Sequence, residues 1–269
     1  MAVSEKELTT QFDERIADLD LRLFEHIESQ TTYFDKRSLL ACQLAVRDLK
    51  GDYTYLEIGS YLGGSLQPYL VDPKCKGIFS IDKRPPLQAD ERGMDYKYEN
   101  NSTKRMIDNL RPNYAPGLDK LTCIDDDGSN IDPTRITPKP QICFIDGEHT
   151  DEACFRDFRF CLDVLDQSGV LVFHDAGIVY NGLSRIVKHL NDQRIRFHAY
   201  ILPETVFVIE INDFAIHKHP VIQGLLLDNH VAYLASLQNN DHFRRFANKP
   251  LFRMLRNLKL RVTRSNVSS

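Results

Sequence analysis

The stretch Tyr55-Leu-Glu-Ile-Gly-Ser-Tyr-Leu-Gly-Gly-Ser65 constrains this chain more than any other. An apolar run ends in an acid, Glu57, and passes through a glycine turn into residues that can open a helix. A strand feeding a glycine-rich turn and a helix N-terminus is how a doubly wound α/β sheet makes room for a nucleotide-like ligand. Further short apolar runs follow at 77–81, 121–124, 141–145 and 169–173, each the length of a buried strand. Helical spacing separates most of them. It is clearest over 151–166, where Cys154, Phe158, Cys161, Leu162 and Leu165 share a side, and it returns over 181–192. Two last strands, 196–202 and 206–211, are joined by Pro203-Glu204-Thr205, too short for a crossover, so they pair antiparallel. The expected architecture is a Rossmann-like doubly wound sheet of seven strands, five parallel plus a C-terminal antiparallel hairpin.

Additions flank this sheet. Ser4 and Glu7 have capping-box spacing, and Phe12, Ile16, Leu19, Leu23 and Ile27 continue at helical steps, predicting a helix over 5–29. A second is predicted over 35–49, and further helices over 221–237 and after Pro250. The expected division is a helical cap at 1–50, the ligand-binding domain at 51–213 and a helical basic extension at 214–269. The N-terminal helices are free to cap the sheet, cover the ligand or join two copies in a homo-oligomer.

No apolar run reaches the roughly 18 residues that span a bilayer, and the polar start Met-Ala-Val-Ser-Glu-Lys-Glu has no secretory core. Six cysteines (Cys42, Cys75, Cys123, Cys143, Cys154, Cys161) form no CxxC pair, which favours buried thiols in a reducing compartment. A cytoplasmic protein is expected. From Asp241 onward eight basic residues face one acid, a net +7, leaving −11 on the preceding 240 residues out of a total of −4. Such a tail reads as a solvated helix face, or as a peripheral contact with an anionic membrane surface or lipid-linked glycan. Nucleic acid is not expected, because the body is acidic and no nucleic-acid-binding motif is present.

Acids stand at the C-terminal end of every expected parallel strand: Glu57, Asp82, Asp125 to Asp127, Asp146, and His174-Asp175. Open parallel sheets bind their ligands at that edge. Asp82 lies about 20 residues beyond the glycine turn, where an acid accepts hydrogen bonds from ribose hydroxyls. Within Gly59-Ser60-Tyr61-Leu62-Gly63-Gly64, Tyr61 occupies the position where a dinucleotide fold needs its middle glycine. A bulky residue there argues against a pyrophosphate and for a ligand such as S-adenosylmethionine (SAM). Arg84 keeps open an NADP-dependent oxidoreductase as the alternative.

Glu57-Ile58-Gly59-Ser60 followed by Asp82 resembles the first two signatures of class I SAM-dependent methyltransferases. Ile145-Asp146-Gly147-Glu148-His149, then Asp157, then the run from Gly169 to His174-Asp175 is similar to the metal-dependent macrolide and rhamnosyl O-methyltransferases and cephalosporin hydroxylase-like proteins. The resemblance implies methyl transfer from SAM to a hydroxyl of a sugar or glycosylated small molecule, with a divalent metal, Mg²⁺ or Mn²⁺. By the same resemblance Glu57, Gly59, Ser60, Gly63, Asp82 and Asp126 contact the cofactor. Asp146, His174 and Asp175 hold the metal, with Asp146, His149 and Asp175 catalytic and His149 the general base. In the nearest methyltransferases two adjacent acids close the fifth strand, whereas here the pair is His174-Asp175. A nitrogen ligand shifts preference from Mg²⁺ towards Mn²⁺, Fe²⁺ or Zn²⁺, and His174 as the base or as a buried histidine remain open. Asp157 matches the family or holds a neighbouring loop, and Glu91 and Arg92 read as an ion pair near the ribose. A hydroxylase-like relative and a nonenzymatic SAM-binding scaffold in a glycan pathway are the remaining alternatives.

Overall fold

The computed structural model describes residues 5–92, 95–227, 250–251 and 254–255. The basic side chains from Arg244 onward, the helix expected over 221–237 beyond Leu227, and most of the helix expected after Pro250 lie outside the described residues.

The N-terminal region departs from the single helix expected over 5–29. Helix α1 (Glu5–Ala17) stops early; Leu19 takes a left-handed backbone at φ 51°, and a 3-10 turn follows at Leu21–Phe24. The cause is Asp20, whose carboxylate accepts from Arg22 N and pairs with Arg15 and Arg22. An acid that captures backbone N–H groups competes with helix continuation. The apolar spacing still does its work, because Phe12, Ile16, Leu19, Leu23 and Ile27 are all buried. Helix α2 (Tyr33–Lys50) starts from a capping box between Thr32 and Asp35.

Strand β1 (Tyr53–Ile58) runs through the middle of the sheet and is buried throughout. The glycine turn beyond it opens only a short helix, α3 (Gln67–Val71), rather than a full crossover helix. Strand β2 (Cys75–Ile81) follows. A two-residue ribbon, β3 (Leu87–Gln88) with β4 (Tyr96–Lys97), and helix α4 (Thr103–Tyr114) then lead to β5 (Leu121–Ile124). The remaining elements are β6 (Ile142–Ile145), α5 (Asp151–Val164), β7 (Val170–Phe173), α6 (Tyr180–Asp192), β8 (Phe197–Ile201), β9 (Phe207–Ile211) and α7 (Pro220–Leu227).

The seven strands stand in the order β5-β2-β1-β6-β7-β9-β8. The first five are parallel, and β9 inserts antiparallel between β7 and β8. The order reverses at β1, so the glycine turn sits at the topological switch point, where such sheets bind ligands.

Strand alternation sorts the side chains into two cores. Tyr53 and Tyr55 of β1, Phe144 of β6 and Val172 of β7 face α2, α3, α4 and the α1 region. Leu56, Ile58, Ile145 and Phe173 face α5 and α6. The N-terminal helices therefore share one core with the sheet. The six cysteines are free thiols, all buried except the half-buried Cys123. Among the described residues, no helix is long and apolar enough to cross a membrane.

Candidate active site

The same alternation determines what reaches the sheet edge. Counting two residues on from Phe144 puts Asp146 on the α2 side, and two on from Val172 puts His174 there. The strands are neighbours in register, Ile145 beside Phe173, so the next residues meet: His174 Nδ1 lies 3.0 Å from Asp146 Oδ1. Asp175 should point the other way. Its backbone is left-handed at φ 51°, which returns its carboxylate to 3.3 Å from the same His174 Nδ1. A non-glycine residue held there carries roughly 1–3 kcal/mol of local strain, and such strain gathers at functional sites.

His149 completes the cluster just ahead of α5, whose N-cap is Thr150. One ligand atom each from Asp146, His149 and Asp175 lie within 4.8 Å of one another. His149 Nε2 is 3.1 Å from Asp175 Oδ2, and Nδ1 is 3.1 Å from Asp90 Oδ2. His174 lies outside that trio and faces carboxylates with both nitrogens. Its Nε2 is 3.2 Å from Asp35 Oδ2, though off the line of a hydrogen bond. Burial works against a charge on His174, but the Asp146 and Asp175 carboxylates outweigh it and hold the imidazole well above its usual range. Both histidines therefore stand beside the acids: His149 shares the 4.8 Å cluster with Asp146 and Asp175, and His174 Nδ1 contacts the same two carboxylates at 3.0 and 3.3 Å.

Two residues of this site carried no sequence signal. Asp90, in the loop before β4, is clamped by Arg92, with Nε to Oδ1 and Nη2 to Oδ2 both at 2.8 Å. Burial alone would raise its pKa, but Arg92 more than offsets that and keeps the carboxylate ionised. Of the two 3.1 Å contacts only that to Asp90 has hydrogen-bond geometry, and because a carboxylate only accepts, it assigns the proton to His149 Nδ1. Glu91 and Arg92 do not pair with each other as expected. Arg92 serves Asp90, and Glu91 Oε1 accepts from Asp151 N at the start of α5. Asp35 stands in the first turn of α2, where it closes the capping box with Thr32, and its contact with His174 is visible only in three dimensions.

The glycine turn shapes the neighbouring cleft, about 570 Å³ and open to solvent, onto which Gly59, Ser60, Asp82, Asp146 and His149 all face. Gly59 has φ +95°, and a Cβ there would lie 2.0 Å from the Asp146 carbonyl oxygen, so only glycine lets β1 and β6 approach. Tyr61 adopts φ 41° in the place of a glycine, with its ring against Tyr98 and its N–H given to Asp82. Asp82 also accepts from Arg84 N at 2.7 Å. Arg84 itself is buried against Asp82, the Tyr61 carbonyl and Asn101, so it does not stand free to meet a 2′-phosphate.

Glu57 and Gly63 stand behind the cleft wall rather than on it. Glu57 is fully buried, accepts from Tyr55 Oη and Ser65 Oγ, and burial pushes its pKa up to about 7. Gly63 packs on Met106 and Leu110 of α4. Asp126 and Asp127 line a second recess that adjoins the cleft at Gly59, Asp82 and Gln88, while Asp125 turns away to Thr103 and Arg84. Lys83 crosses that recess, 2.7 Å from Glu148 and 3.6 Å from Asp127. Asp157, also in its wall, backs onto Gly147, and burial raises its pKa to about 6. The loop at 28–31 forms the opposite side of the main cleft, anchored by Gln67.

Residues 56–176 match the family model of a methyltransferase domain. An uncharacterized protein of Acanthamoeba polyphaga mimivirus is 29% identical over 127 residues, 47% of this chain, and the match spans about half of that protein's length, 52%. Among solved structures, the chain is similar to the SAH-bound Podospora anserina methyltransferase, at 15% identity over 79% of this chain and 99% of that one, TM-score 0.49. It is also similar to an O-methyltransferase from Bacillus cereus in complex with SAH, at 12% identity over 78% and 93%, TM-score 0.46. Residues 56–176, which carry the glycine turn, Asp82, Asp146, His149 and Asp175, are thus similar to a methyltransferase domain, set on a doubly wound α/β sheet.

Proposed function

We propose that this protein transfers a methyl group from SAM to a hydroxyl of a sugar or glycosylated small molecule, with His149 as general base. The observation that carries the reading is the line Asp90–His149–Asp175 at the mouth of the cleft formed by the glycine turn. The methionine part of SAM fits the main cleft along Gly59, Ser60 and Ser65, with the adenosine crossing Asp82 towards the recess at Asp126. Tyr61, in the place of the glycine that lets a backbone approach a pyrophosphate, supports SAM over a dinucleotide.

Transfer breaks the carbon–sulfur bond of the sulfonium and forms a carbon–oxygen bond to the acceptor, whose hydroxyl proton must leave. Asp90 keeps the proton of His149 on Nδ1, so Nε2 is the nitrogen that takes the acceptor's proton. Asp175 Oδ2, 3.1 Å from Nε2, then stabilises the imidazolium. The Asp146 and Asp175 carboxylates, clustered with His149 within 4.8 Å, fit a divalent cation and suit Mg²⁺ or Mn²⁺. Asp146 and Asp175 would hold it, and a bound cation would supply acidification of the acceptor hydroxyl. The sugar acceptor rests on the resemblance of residues 145–175 to sugar-modifying O-methyltransferases.

Calorimetry with SAM, followed by S-adenosylhomocysteine release on glycan extracts with and without EDTA, tests the reading. Asp175→Ala is expected to bind SAM within a few-fold of wild type and to lose turnover. Unchanged turnover in that variant would remove the cluster from the chemistry, and absence of SAM binding would remove the cofactor.

A further inference from the structure

A second groove opens beside the reactive cluster, about 710 Å³ of space bordered by Arg92, Asp151, Gly177, Tyr180 and Asn181. That space is partly open to solvent. It meets the cluster at two points. Gly177 is two residues beyond Asp175, and Arg92 holds the Asp90 carboxylate that orients His149. The groove is therefore linked to the cluster through Arg92 and the segment that follows Asp175.

The walls have an uneven chemistry. Tyr180, the first residue of α6, is 60% exposed, although its neighbours Val179 and Leu183 are buried. Ile178 and Gly177 add apolar surface, and the remaining walls are polar and fixed in place. Asp151 accepts from Asn181 Nδ2 at 3.1 Å and from Gly182 N at 2.7 Å, and its own N–H goes to Glu91. One exposed aromatic face against braced carboxylate, amide and guanidinium groups suits a ligand with an apolar face and a hydroxylated rim. A pyranose ring has both: axial C–H groups stack on an aromatic face, and equatorial hydroxyls reach charged and amide partners.

We infer that this groove is the acceptor subsite, with Tyr180 the platform for a pyranose ring and Asp151, Asn181 and Arg92 its hydroxyl partners. The inference rests on the O-methyltransferase reading and gives it a place for the acceptor. Tyr180 does not reach the reacting atoms. It sets which face of the sugar turns towards His149.

Saturation-transfer NMR with methyl α-rhamnopyranoside, methyl β-glucopyranoside and p-cresol as probes tests this on the full chain, with and without S-adenosylhomocysteine. At least one glycoside is expected to receive saturation from wild type, at least fivefold less from Tyr180→Ala, and about the wild-type amount from Tyr180→Phe, which keeps the ring. Saturation of p-cresol alone, no glycoside signal, or equal signals from wild type and Tyr180→Ala would each overturn the subsite. SAM calorimetry on the same samples separates the two ideas. If SAM binds and the glycosides do not, the subsite fails alone; if SAM does not bind, the methyltransferase mechanism fails whatever the glycosides do.

Discussion

His149 is held between two carboxylates at equal distance: Asp90 Oδ2 lies 3.1 Å from Nδ1, and Asp175 Oδ2 lies 3.1 Å from Nε2. One acid comes from the loop before β4 and the other from the end of β7. The backbone reinforces the first contact, because Glu91 N donates to the His149 carbonyl at 2.9 Å. Asp90→Asn would allow an amide N–H to face Nδ1, so Nε2 would carry the proton and cease to act as a base. Turnover is expected to fall by about 10²-fold or more, within the 10²–10⁴ that a positioned base contributes, while the SAM affinity stays within a few-fold. Steady-state S-adenosylhomocysteine release and calorimetry check the two halves separately.

Glu57 makes stability depend on pH in a defined direction. Its folded pKa is about 7 against an ordinary value of 4.5, because it is fully buried. Between those two values the folded chain binds more protons than the unfolded chain, so this residue's contribution to stability falls as pH rises from 4.5 to 7. A shift of that size corresponds to about 3 kcal/mol. Glu57→Gln keeps the shape and removes the titration. Urea unfolding at pH 5 and pH 8 should therefore show the variant gaining on wild type by about 2.5 kcal/mol across that interval. A constant difference between the two proteins would mean that Glu57 is ionised throughout.

Much of this site was legible because parallel strands impose order. Short strands of four to seven residues, fully buried in β1, β6 and β7 and partly in β2 and β5, mark the sheet, and a chain leaving such a strand must end at one edge of it. Asp82, Asp146, His149 and Asp175 followed from that rule and from the resemblance it made visible. Asp90 and Asp35 did not, because neither ends a strand of the main sheet. Asp90 follows a two-residue ribbon strand, too short to carry a period, and Asp35 sits in a first helical turn where an acid is ordinary. The left-handed turn of Asp175 was equally hidden, since nothing in an aspartate announces a positive φ. The helix expected over 5–29 failed for a related reason. Apolar spacing reports which residues are buried, and Asp20 decided how the backbone between them runs.

Gly59 is the position where the turn tolerates least. An added Cβ would sit 2.0 Å from the Asp146 carbonyl oxygen and 2.8 Å from Gly147 Cα, both backbone atoms, and the residue would also have to hold φ +95°. Neither neighbour yields without moving β6 relative to β1, which displaces Asp146 itself. Gly59→Ala is expected to cost about 3 kcal/mol or more and to abolish SAM binding in the fraction that folds. Thermal unfolding with and without SAM reads both. A SAM-induced stabilisation equal to that of wild type would show that the turn accommodates a side chain.

Gln67 ties the loop over the cleft to the sheet. Its Oε1 accepts from His26 N, Ile27 N and Tyr114 Oη at 2.9–3.0 Å. Its Nε2 lies within hydrogen-bonding distance of the Phe24, Ile27 and Gly64 carbonyls at 2.7–3.2 Å. One buried amide thus joins the segment before residues 28–31, the glycine turn and α4. On the turn side the fit is tight, since a Cβ on Gly64 would lie 2.6 Å from Ser29 Cβ. Gln67→Ala removes every one of these contacts and leaves buried backbone groups without partners, at roughly 1–3 kcal/mol for each group stranded. Water entering the space left by the amide offsets part of that, so a net loss of about 2–4 kcal/mol is expected. The functional effect should be local. Amide exchange over 24–31 should accelerate, and SAM should bind about tenfold more weakly because one wall of its cleft is no longer held. Mass-spectrometric hydrogen exchange with and without SAM distinguishes this from general destabilisation. Acceleration confined to 24–31 that SAM reverses is the expected pattern, and uniform acceleration across β1, β6 and β7 would mean that Gln67 serves the core rather than the cleft.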